Sequence, residues 1–144
     1  MAITSAVCST FKQELLKGNH DFDGGATYKI ALFTSSASMG ASTTAYADTN
    51  QVANGSGYTT GGATLSSPAV ALSSTTAYID FADATWSSAS FTANGALIYR
   101  SDGSAPTNDA VCVIAFGGDY TATNGTFTVQ FPSAAASTAI LRLS

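Results

Sequence analysis

The chain has 144 residues, a length that suits one domain and buries roughly 70% of its unfolded surface. Only 10% of its residues are charged, against a usual value of about 25%, while 45% are apolar. Ser and Thr therefore carry the polar surface. The net charge is −4 with five scattered Lys and Arg, which excludes the basic cluster that nucleic-acid phosphates require.

Thr4 to Lys17 has helical spacing. Val7, Phe11 and Leu15 recur every four residues, and Cys8 and Leu16 widen the stripe. Thr4 or Ser5 is placed to cap the start, and Gly18 sits where a helix stops. A short helix of this kind is marginal alone, so its apolar stripe packs either on the domain's own sheet or on a neighbouring subunit. Lys12, Glu14 and Lys17 interrupt any signal-peptide pattern. No run of about twenty apolar residues is present to span a membrane. The chain reads as one made in a cytoplasm.

Asn19 to Ala26 is a turn region broken by Gly24 and Gly25, after which the period becomes two. Tyr28, Ile30 and Leu32 alternate with Lys29, Ala31 and Phe33, a strand with both faces at least partly covered. From Ser35 to Gly62 strand signals are few, and the loop is long for a compact domain. Its anchors are Tyr46, Val52 and Tyr58. The two tyrosines either pin the loop to its own domain or present contact area to a partner.

Short strands are expected next at Ala63 to Leu72, with an edge or bulge at Pro68, and at Tyr78 to Phe81 and Thr85 to Ser87. Phe91 to Arg100 reads as buried, with a bend at Gly95. Val111 to Phe116 is the most apolar run, closed by Gly117 and Gly118. Phe127, Val129 and Phe131 mark a half-exposed strand, and Ala139 to Leu143 a last one. One N-terminal amphipathic helix (residues 1–18) and about eight strands (residues 27–144) indicate a mainly β, single-domain β-sandwich or jelly roll over residues 1–144, with a long loop at 35–62.

Residues that do chemistry are scarce. His20 lies in a polar turn and reads as solvated, and no G-x-S-x-G elbow accompanies it. Asp21, Asp23 and Gly24 resemble the start of a calcium loop, but the twelfth position is Leu32 rather than glutamate. Asp80 and Asp83 form a weak carboxylate pair. Cys8 and Cys112, with one His, make no zinc set. They read as small apolar fillers, a disulfide between them remaining open. No phosphate loop or dinucleotide fingerprint occurs. No catalytic residue, metal site or cofactor is expected.

Several strings resemble a family of small structural proteins of tailed bacteriophages, of the decoration or cement kind. They are Phe11-Lys12-Gln13-Glu14-Leu15-Leu16-Lys17-Gly18, Lys29-Ile30-Ala31-Leu32-Phe33-Thr34-Ser35-Ser36, and Asn54-Gly55-Ser56-Gly57-Tyr58-Thr59 with Gly61-Gly62-Ala63. Phe81-Ala82-Asp83-Ala84-Thr85-Trp86-Ser87-Ser88, Ala96-Leu97-Ile98-Tyr99 and Gly125-Thr126-Phe127-Thr128-Val129-Gln130-Phe131 follow in order. The resemblance implies a non-enzymatic virion component.

The expected role is a capsid decoration protein stabilising the head shell. Its expected partners are the major capsid protein and copies of itself in a homotrimer. The expected contact surfaces are the helix, through Phe11, Leu15 and Leu16, and the loop, through Tyr46 and Tyr58. The alternative is a tail, collar or fibre component, including a carbohydrate-binding one in which Trp86 or the loop tyrosines stack on sugar. A small glycosidase or peptidase is the third reading.

Overall fold

The computed structural model describes residues 2–144. The fold is mainly β, with two antiparallel sheets and one short helix, the arrangement of a β-sandwich. In chain order the elements are β1 (Ala6–Val7), α1 (Ser9–Leu16), β2 (Tyr28–Phe33), β3 (Ala63–Thr64), β4 (Ala69–Ser73), β5 (Thr76–Asp80), β6 (Ala84–Arg100), β7 (Ala110–Val129) and β8 (Leu141–Leu143). The larger sheet runs β1-β7-β6-β2-β3 and the smaller β4-β5-β8.

The spine is the hairpin of β6 and β7, which sequence reading breaks into four strands. Gly95 marks a bend within its strand, where the register does shift, and Gly117-Gly118 reads as a strand end. Instead the ladder continues on both sides, with Gly95 opposite Ala115 and Ala93 opposite Tyr120. Asn94 thus faces the whole of Phe116 to Asp119, and its side-chain amide donates to Asp119 Oδ1 at 2.8 Å across this bulge. A bulge costs less than a strand end here because pairing resumes and satisfies the backbone groups beyond it.

The helix is shorter than its periodicity suggests. Ala6 and Val7 pair with Val113 and Cys112 on the edge of β7, and Thr4 N–H donates to the Met39 carbonyl. Open ladder positions on β7 therefore outweigh the helical spacing of this segment. The N-cap is Cys8, whose side chain makes no capping bond, and not Thr4 or Ser5. The C-terminus is better specified. Gly18 takes φ of 81°, its N–H donates to Leu15 and that of Asn19 to Glu14, which is the Schellman pattern that glycine permits.

The core is built around β2. Ile30, Ala31, Leu32 and Phe33 are all buried, so both faces of this strand are covered. On β7 and just beyond it, Phe127, Val129 and Phe131 point inward while Thr128 and Gln130 are exposed, as alternation requires. Cys8 and Cys112 are free and buried. Burial pushes their thiols up to about 11 and about 12, with the Asp109 charge adding to the effect at Cys8, so neither is a ready nucleophile.

The segment from Thr34 to Gly62 forms no named strand but is tied down along its length. Thr34 N–H donates to Asn50, Val52 N–H to Leu32, Tyr46 N–H to Asn108, and Ser90 N–H to Ser56. Its exit is tight. Gly62 has φ of 84°, and a Cβ there would lie 1.9 Å from the Ile30 carbonyl oxygen. Gly62→Ala is expected to cost at least about 2 kcal/mol from strain and collision with the β2 backbone. Urea denaturation checks this, the midpoint falling with an unchanged slope.

Candidate docking groove

Among the described residues five large apolar side chains are exposed: Leu16, Val70, Leu72, Tyr120 and Leu143. Three of them, Leu16, Val70 and Leu143, line one groove of about 700 Å³. Leu72 lies two residues beyond Val70 on β4 and so shares its face. One wall is α1 with β1, through Val7, Phe11, Leu15 and Leu16. The other is the small sheet, through Val70, Ile79, Leu141 and Leu143. Isolated exposed leucines are ordinary, whereas a concave cluster of them is a shape that a partner could cover.

The exposure of Leu16, at 91%, follows from its place in the helix. Phe11 faces the core and is buried, Leu15 is half-buried at the boundary, and Leu16 is the next residue around. The stripe is therefore graded, with one edge in the core and the other in the groove. Lys12 and Arg142 are the charged residues of the lining. Arg142 Nη1 donates to the Ser137 carbonyl at 2.9 Å.

The other expected contact residues lie elsewhere. Tyr58 is buried, its hydroxyl accepting from Leu32 N–H at 2.9 Å and donating to Gln51 Oε1 at 2.8 Å. Tyr46 is half-buried and stacks on Tyr99, with centroids 4.3 Å apart. Its hydroxyl donates to the same Gln51 oxygen at 3.3 Å, and Gly61 N–H does so at 2.9 Å. The two tyrosines thus pin the loop to its own domain, with Gln51 as the common acceptor. The loop's composition shows the rings but not that one amide organises them. Phe11 and Tyr58 are both buried, Tyr58 in the core beneath the loop and Phe11 at the inner wall of the groove.

His20 is also corrected. It is not a solvated turn residue: its side chain is 0% exposed and meets Asp109, itself 3% exposed, at 2.6 Å. A carboxylate only accepts, so Nε2–H donates to Asp109 Oδ2, and Nδ1 accepts from the Tyr28 hydroxyl at 3.0 Å. Phe11 packs edge-on to the imidazole at 4.7 Å. Burial pushes His20 below its ordinary value of 6.5, against the opposing hydrogen bond and charge of Asp109. Arg100, also buried, donates to the carbonyls of Asn19, Ser104 and Pro106 and faces Asp102 at 3.5 Å. Most of these polar atoms are hydrogen-bonded inside the fold, and the buried Arg100 Nε, which makes no hydrogen bond among the described residues, has the Asp102 carboxylate 3.5 Å away. The arrangement ties distant segments together. Among the described residues no cluster of His, Cys, Asp and Glu is arranged to hold a metal ion.

Comparison with protein-family models, curated proteins and solved structures returns no significant match.

Two outcomes are expected of the buried groups. Since His20 titrates lower in the folded than in the unfolded chain, the unfolded state takes up the proton first as pH falls. Stability is then full above about pH 6.5 and declines below it. Denaturant titrations at pH 7.5 and pH 5 check this, and His20→Leu should lose the histidine's part of the slope while costing about 3–5 kcal/mol by stranding Asp109. Tyr58→Phe should cost about 1–3 kcal/mol by leaving Leu32 N–H without an acceptor. Thermal unfolding of this variant reads the loss directly.

Proposed function

We propose that this chain is a virion structural protein of a tailed bacteriophage, a capsid decoration or cement protein attaching to the assembled head shell. The observation that carries its assembly role is the groove between α1 and the small sheet, rimmed by exposed Leu16, Val70 and Leu143. The ordered series of strings that resemble small phage structural proteins supplies the setting. In this reading the partners are the major capsid protein and copies of the chain itself in a homotrimer, and the protein resides in the virion.

The mechanism is mass action. A protein that binds the assembled shell and not its dissociated subunits stabilises the shell by its binding free energy. Low charge suits that task, since close-packed copies repel one another little. A non-enzymatic role agrees with where the titratable groups sit. His20 and Asp109, the nearest approach to an acid–base pair, are enclosed in the core. A sugar-binding role has less to build on, because Trp86 and Tyr58 are interior and offer no open stacking face.

Purified particles from the producing host test the proposal. Quantitative mass spectrometry should find the chain at a copy number comparable with that of the major shell protein, and shells stripped of it should rupture at lower temperature. A handful of copies per particle would place it in the tail or collar instead. Absence from particles would end the virion reading.

A further inference from the structure

The groove has a polarity that an assembly role alone does not specify. The chain carries a net charge of −4, yet the charged residues lining the groove, Lys12 and Arg142, are both cations. Among the described residues neither forms an ion pair, whereas Lys17 and Arg100 are matched to Glu14 and Asp102. No Asp or Glu lines the groove. An apolar trough with two cations that face no carboxylate, Arg142 being held by the Ser137 carbonyl, is thus set into an acidic protein.

We propose that this groove docks a segment of a second, different protein, one that carries apolar side chains flanked by carboxylates. The inference rests on the assembly reading and deepens it by naming what the surface recognises. Charge complementarity selects the flanks: carboxylates beside an apolar segment meet Lys12 and Arg142, while a basic segment of equal apolarity is repelled. The rim selects a polypeptide over a small amphiphile. Leu16 at 91% and Leu143 at 61% exposure stand out of the trough, and only an occupant extending beyond it covers them. The same charges disfavour a two-fold contact between copies of this chain. An isologous interface sets each patch against itself, and here it would bring Lys12 and Arg142 against their own copies with no carboxylate in the patch.

The test uses the purified full-length chain and two synthetic peptides. One has alternating Leu and Val between paired aspartates at both ends, and the other has lysine in place of every aspartate. Fluorescence anisotropy should show the acidic peptide binding at least about tenfold more tightly than the basic one, with the preference shrinking at high salt. The double variant Lys12→Gln with Arg142→Gln should bring the two peptides to within about twofold of each other. The double variant Leu16→Ser with Leu143→Ser should weaken the acidic peptide by about tenfold or more. Both leucines are exposed, so this variant should keep the parent's thermal midpoint, which confirms that it is folded.

Equal binding of the two peptides, binding of neither, or acidic-peptide binding indifferent to the leucine variant would each overturn the proposal. So would sedimentation showing a dimer that the leucine variant dissociates, which would assign the groove to a second copy. Tight binding of dodecanoate with no peptide binding would assign it to a small amphiphile. The titration contains no particle. Its failure therefore removes the occupant while leaving the particle copy number to stand, and absence from particles alongside tight acidic-peptide binding does the reverse.

Discussion

The contact on which the most other structure depends is the buried hydrogen bond between His20 and Asp109. It joins the segment following α1 to the start of β7, 89 positions away in sequence. The same imidazole accepts from Tyr28 at the head of β2 and packs against Phe11 of α1. Arg100 works alongside it, gathering the Asn19, Ser104 and Pro106 carbonyls at the end of β6. Burying these groups is costly unless each is matched. His20 and Asp109 are matched to each other, and Arg100 is matched through its two terminal nitrogens, which favours one placement of the polar turn after α1. That place sets the helix, and the helix is one wall of the groove. The core polar cluster therefore acts on function through geometry: it decides how far Leu15 and Leu16 stand from β8.

Much of the architecture was legible in the sequence. Two-residue alternation marked β2 and the Phe127 to Phe131 segment, Gly18 marked the helix end, and sparse strand signals marked the loop from Ser35 to Gly62. The errors share a cause. The N-terminal segment before Cys8 has helical spacing but pairs with β7, and Gly117 and Gly118 look like a strand end but lie within a long strand. Each outcome was decided by hydrogen-bond partners distant in sequence, which local periodicity does not encode. His20 was misread for the same reason, since its polar neighbours describe a turn and Asp109, which buries it, is far along the chain.

The groove was half legible. Phe11, Leu15 and Leu16 are visible in the sequence as a stripe, which fits either the domain's own sheet or a partner. The stripe is in fact divided, Phe11 serving the core and Leu16 the groove. The opposite wall left no signal. Leu141, Arg142 and Leu143 read as a last strand, but nothing in three residues says that the strand will lie on an edge facing α1. Gln51 likewise looks like one more polar loop residue until Tyr46, Tyr58 and Gly61 converge on it.

Edge strands give an independent reason to regard the small sheet as incomplete. A sheet edge exposes unpaired backbone groups, and proteins blunt this hazard by keeping edge strands short or charged. Three of the four edges obey: β1 and β3 have 2 residues each and β8 has 3. The fourth, β4, has 5 residues, no charge, and Val70 and Leu72 exposed on one face. In a chain with so few charges to oppose association, such an edge is a liability when uncovered. Val70 belongs at once to the exposed edge and to the groove, so an occupant of the groove would also cover part of this edge.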